Sequence, residues 1–102
     1  MKIEHYKKFD SLYVKLCGEL DEHHSAYVRT TIDELTDGNA VKRLYIDMSN
    51  LDFMDSTGIG VLIGRYKRLK PRGIPIFIQS PPPAVDKVLR LSGIYEIMTK
   101  AG

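Results

Sequence analysis

The hydrophobic residues of this chain change their spacing several times, and these changes limit the folds that it can adopt. Residues 12–17 alternate between apolar and polar, which is typical of a strand with one face in the core. Apolar residues then recur at helical intervals from His24 until Gly38. Residues 41–48 are again strand-like, and a second helix is predicted over 59–69. Strands and helices in alternation predict an α/β protein.

The remaining segments complete a mixed sheet with helices packed against it. Residues 3–7 form a weaker strand, and the short connection 8–11 predicts an antiparallel hairpin with the strand that follows. The run at 76–78 is apolar at every position, which predicts a central parallel strand covered on both faces. A third helix is predicted after three prolines and ends before Gly93, and 94–98 form a last short element. We expect four to five strands, mostly parallel, and three or four helices.

Composition places the chain among ordinary globular proteins. It has 102 residues, 43% of them hydrophobic and 27% charged, so one domain over residues 1–102 is expected. Cys17 is the only cysteine, which excludes a disulfide within the chain and, in an apolar strand, predicts a buried thiol. No apolar run is long enough for a membrane span or a signal peptide. We expect a cytoplasmic protein, and its net charge of +2 gives no reason to expect a membrane or direct nucleic-acid partner.

Residues 54–58, with the sequence MDSTG, join a predicted strand to the second helix. Functional groups of α/β proteins collect where a strand ends and a helix begins. Asp55 is a good capping residue, and Ser56 is expected at the first turn, where unpaired N–H groups and the helix dipole favour negative charge. A phosphate on Ser56 would add about −1.5 to −2 charges beside Asp55 and Asp52. We therefore predict that Ser56 is phosphorylated, and that this controls a protein–protein contact without unfolding the chain.

Three enzyme motifs fit this turn poorly. The glycines of 58–64 have the wrong spacing for a dinucleotide fingerprint, and MDSTG lacks the first glycine of a serine-hydrolase elbow. An aspartic-protease turn would require an all-β frame. We predict no catalytic residue and no cofactor. A nucleotide-binding or hydrolysing protein that uses the N–H groups of the turn 54–60 remains the alternative.

The second helix contains two further unusual features. Each of Gly58, Gly60 and Gly64 costs close to 1 kcal/mol relative to alanine inside a helix. Close packing on the sheet is the favoured explanation, and a partner approaching a bare backbone is the alternative. Five basic residues over 65–72 are expected to form a solvated outer face rather than a lipid- or phosphate-binding surface.

Acidic and histidine side chains precede the first helix. Glu19 and Asp21 lie in a predicted loop, where they favour the helix N-terminus or form a contact surface at the same end of the sheet as Ser56. Both readings stay open. His23 and His24 point about 100° apart on a helix and no third ligand is suitably spaced, so no metal site is predicted.

Four segments, in order, resemble the anti-sigma factor antagonists, which are STAS domains. They are GELD at 18–21, LYIDMS at 44–49, MDSTGIG at 54–60 and LSGI at 91–94. The similarity extends over nearly the whole chain. Residues 21–24 and 64–67 are most similar to the sporulation branch of the family, which acts on a sigma-F switch.

The resemblance implies a mechanism. In that family the unphosphorylated antagonist binds an anti-sigma factor, which is also an ATP-dependent serine kinase, and so releases the sigma factor. The kinase phosphorylates the serine that matches Ser56, and a metal-dependent phosphatase restores it. Asp21 matches an acidic residue at the partner contact, while Asp55 and Gly58 flank the phosphoacceptor. The predicted partner-binding residues are Glu19, Asp21, Asp55, Thr57, Gly58, Ile59 and Gly60.

Overall fold

The computed structural model describes residues 1–38 and 40–101. These residues form the strands β1 (Lys2–Lys8), β2 (Ser11–Leu20), β3 (Arg43–Met54), β4 (Ile76–Gln79) and β5 (Thr99–Lys100). The α-helices are α1 (Ser25–Asp37), α2 (Ser56–Leu69) and α3 (Pro83–Ser92). The predicted α/β class, the N-terminal hairpin and the mostly parallel sheet are confirmed.

The strands follow one another across a single sheet in chain order, from β1 to β5. β1 and β2 are antiparallel, and each later neighbour is parallel. Ser11 pairs with Arg43 where β2 and β3 begin, and Leu20 pairs with Met54 where they end. The segments that lead into α1 and α2 therefore leave the sheet at the same end, the carboxyl end of β2 and β3.

The helices cover one face of the sheet. Rows of buried aliphatic residues cross the strands on this face, and one row runs from Val14 through Ile46 to Ile78. Val28 and Ile32 of α1 belong to the same core. Full burial of each such side chain contributes about 1.5–3 kcal/mol, so this layer holds the helices in place.

The other face of the sheet carries a row of stacked aromatic rings. The ring centroids of Tyr6 and Tyr13 are 4.8 Å apart, those of Tyr13 and Tyr45 are 4.7 Å apart, and those of Tyr45 and Phe77 are 4.8 Å apart. These distances match the spacing of neighbouring strands, so each ring stacks on the next. The prediction that β4 is covered on both faces is wrong, because Phe77 packs sideways in this row. Cys17 also lies on this face and is only partly buried, so its predicted burial is wrong too.

β3 continues through residues 49–54, beyond the strand that the sequence pattern predicted over 41–48. Leu51 and Met54 are buried here, but the register against β2 shifts between Lys15 and Cys17. The alternation of apolar residues is therefore interrupted while the strand pairing continues. For the same reason residues 18–20 belong to β2 rather than to a loop.

Charged side chains join α1 to α2. Arg65 is 7% exposed, and its Nε lies 2.7 Å from Asp33 Oδ1. Burial lowers the pKa of the Arg65 guanidinium and Asp33 opposes this shift, so the group stays a cation at neutral pH. Arg68 and Arg72 both pair with Asp37. The expectation of a solvated basic face is wrong for Arg65, because α2 carries it on the side that packs against α1.

Candidate functional site

The candidate site lies where β3 gives way to α2. The strand ends at Met54, and Asp55 caps the helix with an extended backbone. Its Oδ1 accepts a hydrogen bond from Thr57 N at 2.9 Å and a longer one from Gly58 N at 3.4 Å. Such a cap is worth about 1 kcal/mol, and it fixes the first turn of α2 against the end of the sheet.

Ser56 is the first residue of α2, and it is exposed. The sequence predicted a row of free N–H groups beside it, but the Asp55 carboxylate already occupies two of them. A phosphate on the exposed Ser56 would therefore add its charge beside the Asp55 carboxylate. The occupied donors also disfavour the nucleotide alternative, which required the same N–H groups to hold a ligand phosphate.

The three glycines of α2 have different surroundings. A Cβ on Gly58 would lie 2.5 Å from Met54 Cγ and 3.0 Å from Leu20 Cγ, so close packing explains this glycine. A Cβ on Gly60 or Gly64 would meet no atom within 4 Å. Packing therefore does not explain these two positions. Residues four apart share one side of a helix, so Ser56, Gly60 and Gly64 form one strip, which we call the glycine face.

The acidic residues of the β2–α1 connection lie at the same end of the sheet. Glu19 is exposed and pairs with Phe53, two residues before the cap of α2. Asp21 Oδ1 contacts His24 Nδ1 at 2.9 Å and accepts a hydrogen bond from His24 N. Partial burial opposes ionisation of Asp21, but His24 outweighs it and holds the pKa of this carboxyl below its ordinary value. Asp21 is thus an anion that is held in position at the start of α1.

A cleft of about 320 Å³ separates the first turns of α1 and α2 beside the glycine face. Thr57, Gly60 and Gly64 line it from α2, and Ser25 and Arg29 line it from α1. Gly58 and Ile59, which the sequence included in the contact surface, are buried and face the core.

Sequence reasoning missed two residues at this end. Phe53 is a large exposed apolar side chain, and Arg29 lines the cleft. The available signal for Phe53 was its apolar neighbour Met54, because a strand with one buried face buries only one of two adjacent residues. Arg29 carried no comparable signal, because only the packing of α1 against α2 brings it to this position.

Residues 1–38 and 40–101 contain neither a metal-binding cluster nor a membrane-spanning helix. No group of three or more histidine, cysteine or acidic side chains in this part of the chain could hold a metal ion. None of the helices described here has the length and apolar character needed to cross a bilayer.

The five-stranded mixed sheet with an N-terminal antiparallel hairpin and three α-helices is the fold of a STAS domain. The chain belongs to that family, since the STAS domain model matches residues 1–101. Among STAS domains, its relatives are anti-sigma factor antagonists. The recognition from four sequence segments is therefore confirmed.

Three similar proteins illustrate the relationship. The anti-sigma F factor antagonist of Paenibacillus polymyxa is 37% identical over 98 residues, which are 96% of this chain and 82% of the relative. The structure of the anti-sigma factor antagonist SpoIIAA in its unphosphorylated form gives a TM-score of 0.84 at 28% identity, covering 99% of this chain and 89% of that chain. The Bacillus cell fate determinant SpoIIAA in the phosphorylated form gives 0.75 at 27% identity, covering 99% and 92%. These relatives are regulatory proteins rather than enzymes.

Proposed function

We propose that this chain is a phosphorylation-controlled antagonist of an anti-sigma factor that is also a serine kinase. The unphosphorylated chain binds that protein and thereby releases a sporulation sigma factor. Phosphorylation of Ser56 by the same kinase ends the binding, and a serine phosphatase restores it. The observation that carries the proposal is the exposed hydroxyl of Ser56 at the first position of α2, in line with Gly60 and Gly64.

The proposed contact surface consists of the glycine face and the acidic residues beside it. Gly60 and Gly64 leave the helix backbone bare, which lets a partner approach more closely than a side chain would permit. Glu19 and Asp21 provide negative charge next to that surface. Such a partner would bring a flat or convex surface with cations opposite the acidic residues.

Phosphate would act at this contact rather than on the fold. Negative charge near the N-terminus of a helix is favourable by about 0.3–1 kcal/mol, so α2 tolerates the modification. In a complex, the partner would strip water from the same phosphate dianion. The N–H groups of Thr57 and Gly58 could not replace that water, because they already donate to Asp55. Burying an unpaired charge at an interface costs about 2–5 kcal/mol, enough to release the partner.

Binding of Ser56 variants to the anti-sigma factor of the same genome tests the proposal. Ser56→Ala should bind like the wild type by titration calorimetry, and Ser56→Asp should bind at least about tenfold more weakly. Thr99→Asp is the matched control, since it makes a similar change at an exposed site on the edge strand β5. If Ser56→Asp bound like Thr99→Asp, charge at Ser56 would not control the contact.

A further inference from the structure

The tip of the β1–β2 hairpin contains an unusual residue. Lys8 pairs with Ser11, so Phe9 and Asp10 alone make the turn. Phe9 has a φ of 55°, in the left-handed region that favours glycine, and its side chain is 88% exposed. Positive φ is a genuine outlier for a bulky residue, and it costs about 1–3 kcal/mol where the fold enforces it.

Neither packing nor backbone preference explains a phenylalanine at this position. Two-residue hairpin turns usually have Gly, Asn or Asp where φ is positive. The ring of Phe9 buries almost no surface in the described structure, so it contributes little to the stability of the fold. Leu91 on α3 is also exposed, at 74%, but its backbone is ordinary helix and an isolated surface leucine needs no explanation.

Positive charge surrounds the tip. Lys7 and Lys8 precede Phe9, and the backbone of Lys42 donates a hydrogen bond to Asp10 O at 2.7 Å. Arg43 Nη1 lies 2.6 Å from Asp10 Oδ1, which neutralises one cation. The three lysines make no ion pair within the described part of the chain. We call Lys7, Lys8, Phe9, Lys42 and Arg43 the hairpin-tip patch.

We propose that the hairpin-tip patch docks on an anionic lipid bilayer. The Phe9 ring would enter the headgroup region, and the lysines would face lipid phosphates, each cation contributing through its proximity to the negative surface. A bilayer admits a single protruding ring without a shaped pocket, whereas a protein partner would need one. Single-stranded nucleic acid fits less well, because the row of rings from Tyr6 to Phe77 is stacked on itself, and its two inner rings, Tyr13 and Tyr45, have no free face for a base.

Docking on a bilayer contrasts with the expectation, made from the sequence, of no membrane partner. That expectation depended on net charge and on the absence of an apolar span, and neither describes a local cluster. Among the basic residues over 65–72 that were weighed in the sequence, the three arginines pair with Asp33 and Asp37 of α1. The patch lies where β2 and β3 begin, and Ser56 follows the end of β3. Docking would therefore leave the proposed switch accessible.

A tryptophan at the tip tests the proposal directly, because the chain has none of its own. Phe9→Trp should show a blue-shifted emission with vesicles of phosphatidylcholine and phosphatidylglycerol, and no shift with phosphatidylcholine alone. Leu91→Trp is the matched control, and its emission should not move. An equal shift at both positions, or no shift at Phe9→Trp, would overturn the proposal.

Sedimentation of the full chain with the same vesicles supplies a second test. Phe9→Gly should lower binding by at least about tenfold, since the inserted ring is lost. Lys8→Ala should lower it by about fivefold. Glycine also suits the backbone at position 9, so this variant should melt no lower than the wild type by circular dichroism. Unchanged binding of Phe9→Gly, or binding to nucleic acid but not to vesicles, would overturn the proposal.

Discussion

The two halves of α2 differ in their contacts with α1. The second half is anchored, since Arg65 is buried against Asp33 and Arg68 pairs with Asp37 of α1. The first half presents the hydroxyl of Ser56 and the bare backbone of Gly60, and the glycine face ends at Gly64, just before the anchored Arg65. The difference indicates that contacts with α1 and the core fix the position of α2 and leave its beginning exposed, where the partner contact is proposed.

The largest expected effect comes from breaking the anchored half. Asp33→Ala leaves the Arg65 guanidinium buried without its partner, which should lower the free energy of unfolding by about 3 kcal/mol. Urea denaturation measures this loss. Asp37→Ala is the control, because its ion pairs with Arg68 and Arg72 are largely exposed and should be worth less than about 1 kcal/mol. Equal losses in the two variants would mean that burial of Arg65 does not anchor α2.

Gly58→Ala should have an intermediate effect, because it places a methyl group against the core. The new Cβ would lie 2.5 Å from Met54 Cγ and 3.0 Å from Leu20 Cγ, so both side chains must shift. Overpacking costs about 1–3 kcal/mol, and the better helix propensity of alanine returns up to about 1 kcal/mol. The melting temperature of Gly58→Ala should therefore fall. A variant as stable as the wild type would show that the Met54 side chain moves aside at no cost in free energy.

Gly60→Ala should have the smallest effect on stability and the opposite sign. Its Cβ meets open space, so the variant should gain up to about 1 kcal/mol in the same denaturation experiment. Binding to the anti-sigma factor should weaken, because the methyl group projects from the glycine face. A stabilised variant with unchanged affinity would remove Gly60 from the proposed contact surface and leave the fold account intact.

Much of the fold could be predicted because its signals are local. The hairpin, α1 and α3 follow from hydrophobic spacing and from Gly93, whose φ of 80° ends α3. The continuation of β3 to Met54 could not be predicted, since its register against β2 shifts and breaks the alternation. The prediction that β4 is covered on both faces failed at Phe77 for another reason. An apolar run does not distinguish burial under a helix from stacking within a row of aromatic rings.

The candidate site, like the fold, could be predicted only in part from the sequence. Asp55 as the cap and Ser56 at the first turn follow from residue type and position, and the structure places both there. The distinct surroundings of Gly58 and Gly60 could not be predicted, because they depend on which side of α2 faces Leu20. The pairing of Arg65 with Asp33 depends on contact between two helices that are distant in sequence.

The central claim is that Ser56 is the switch, and the mass of the intact chain tests it most directly. After incubation with the anti-sigma factor of the same genome and ATP, the wild type should gain one phosphate that peptide mapping assigns to Ser56. Ser56→Ala should gain none under the same conditions. A phosphate on Thr57 instead, or one that persists in Ser56→Ala, would contradict the account.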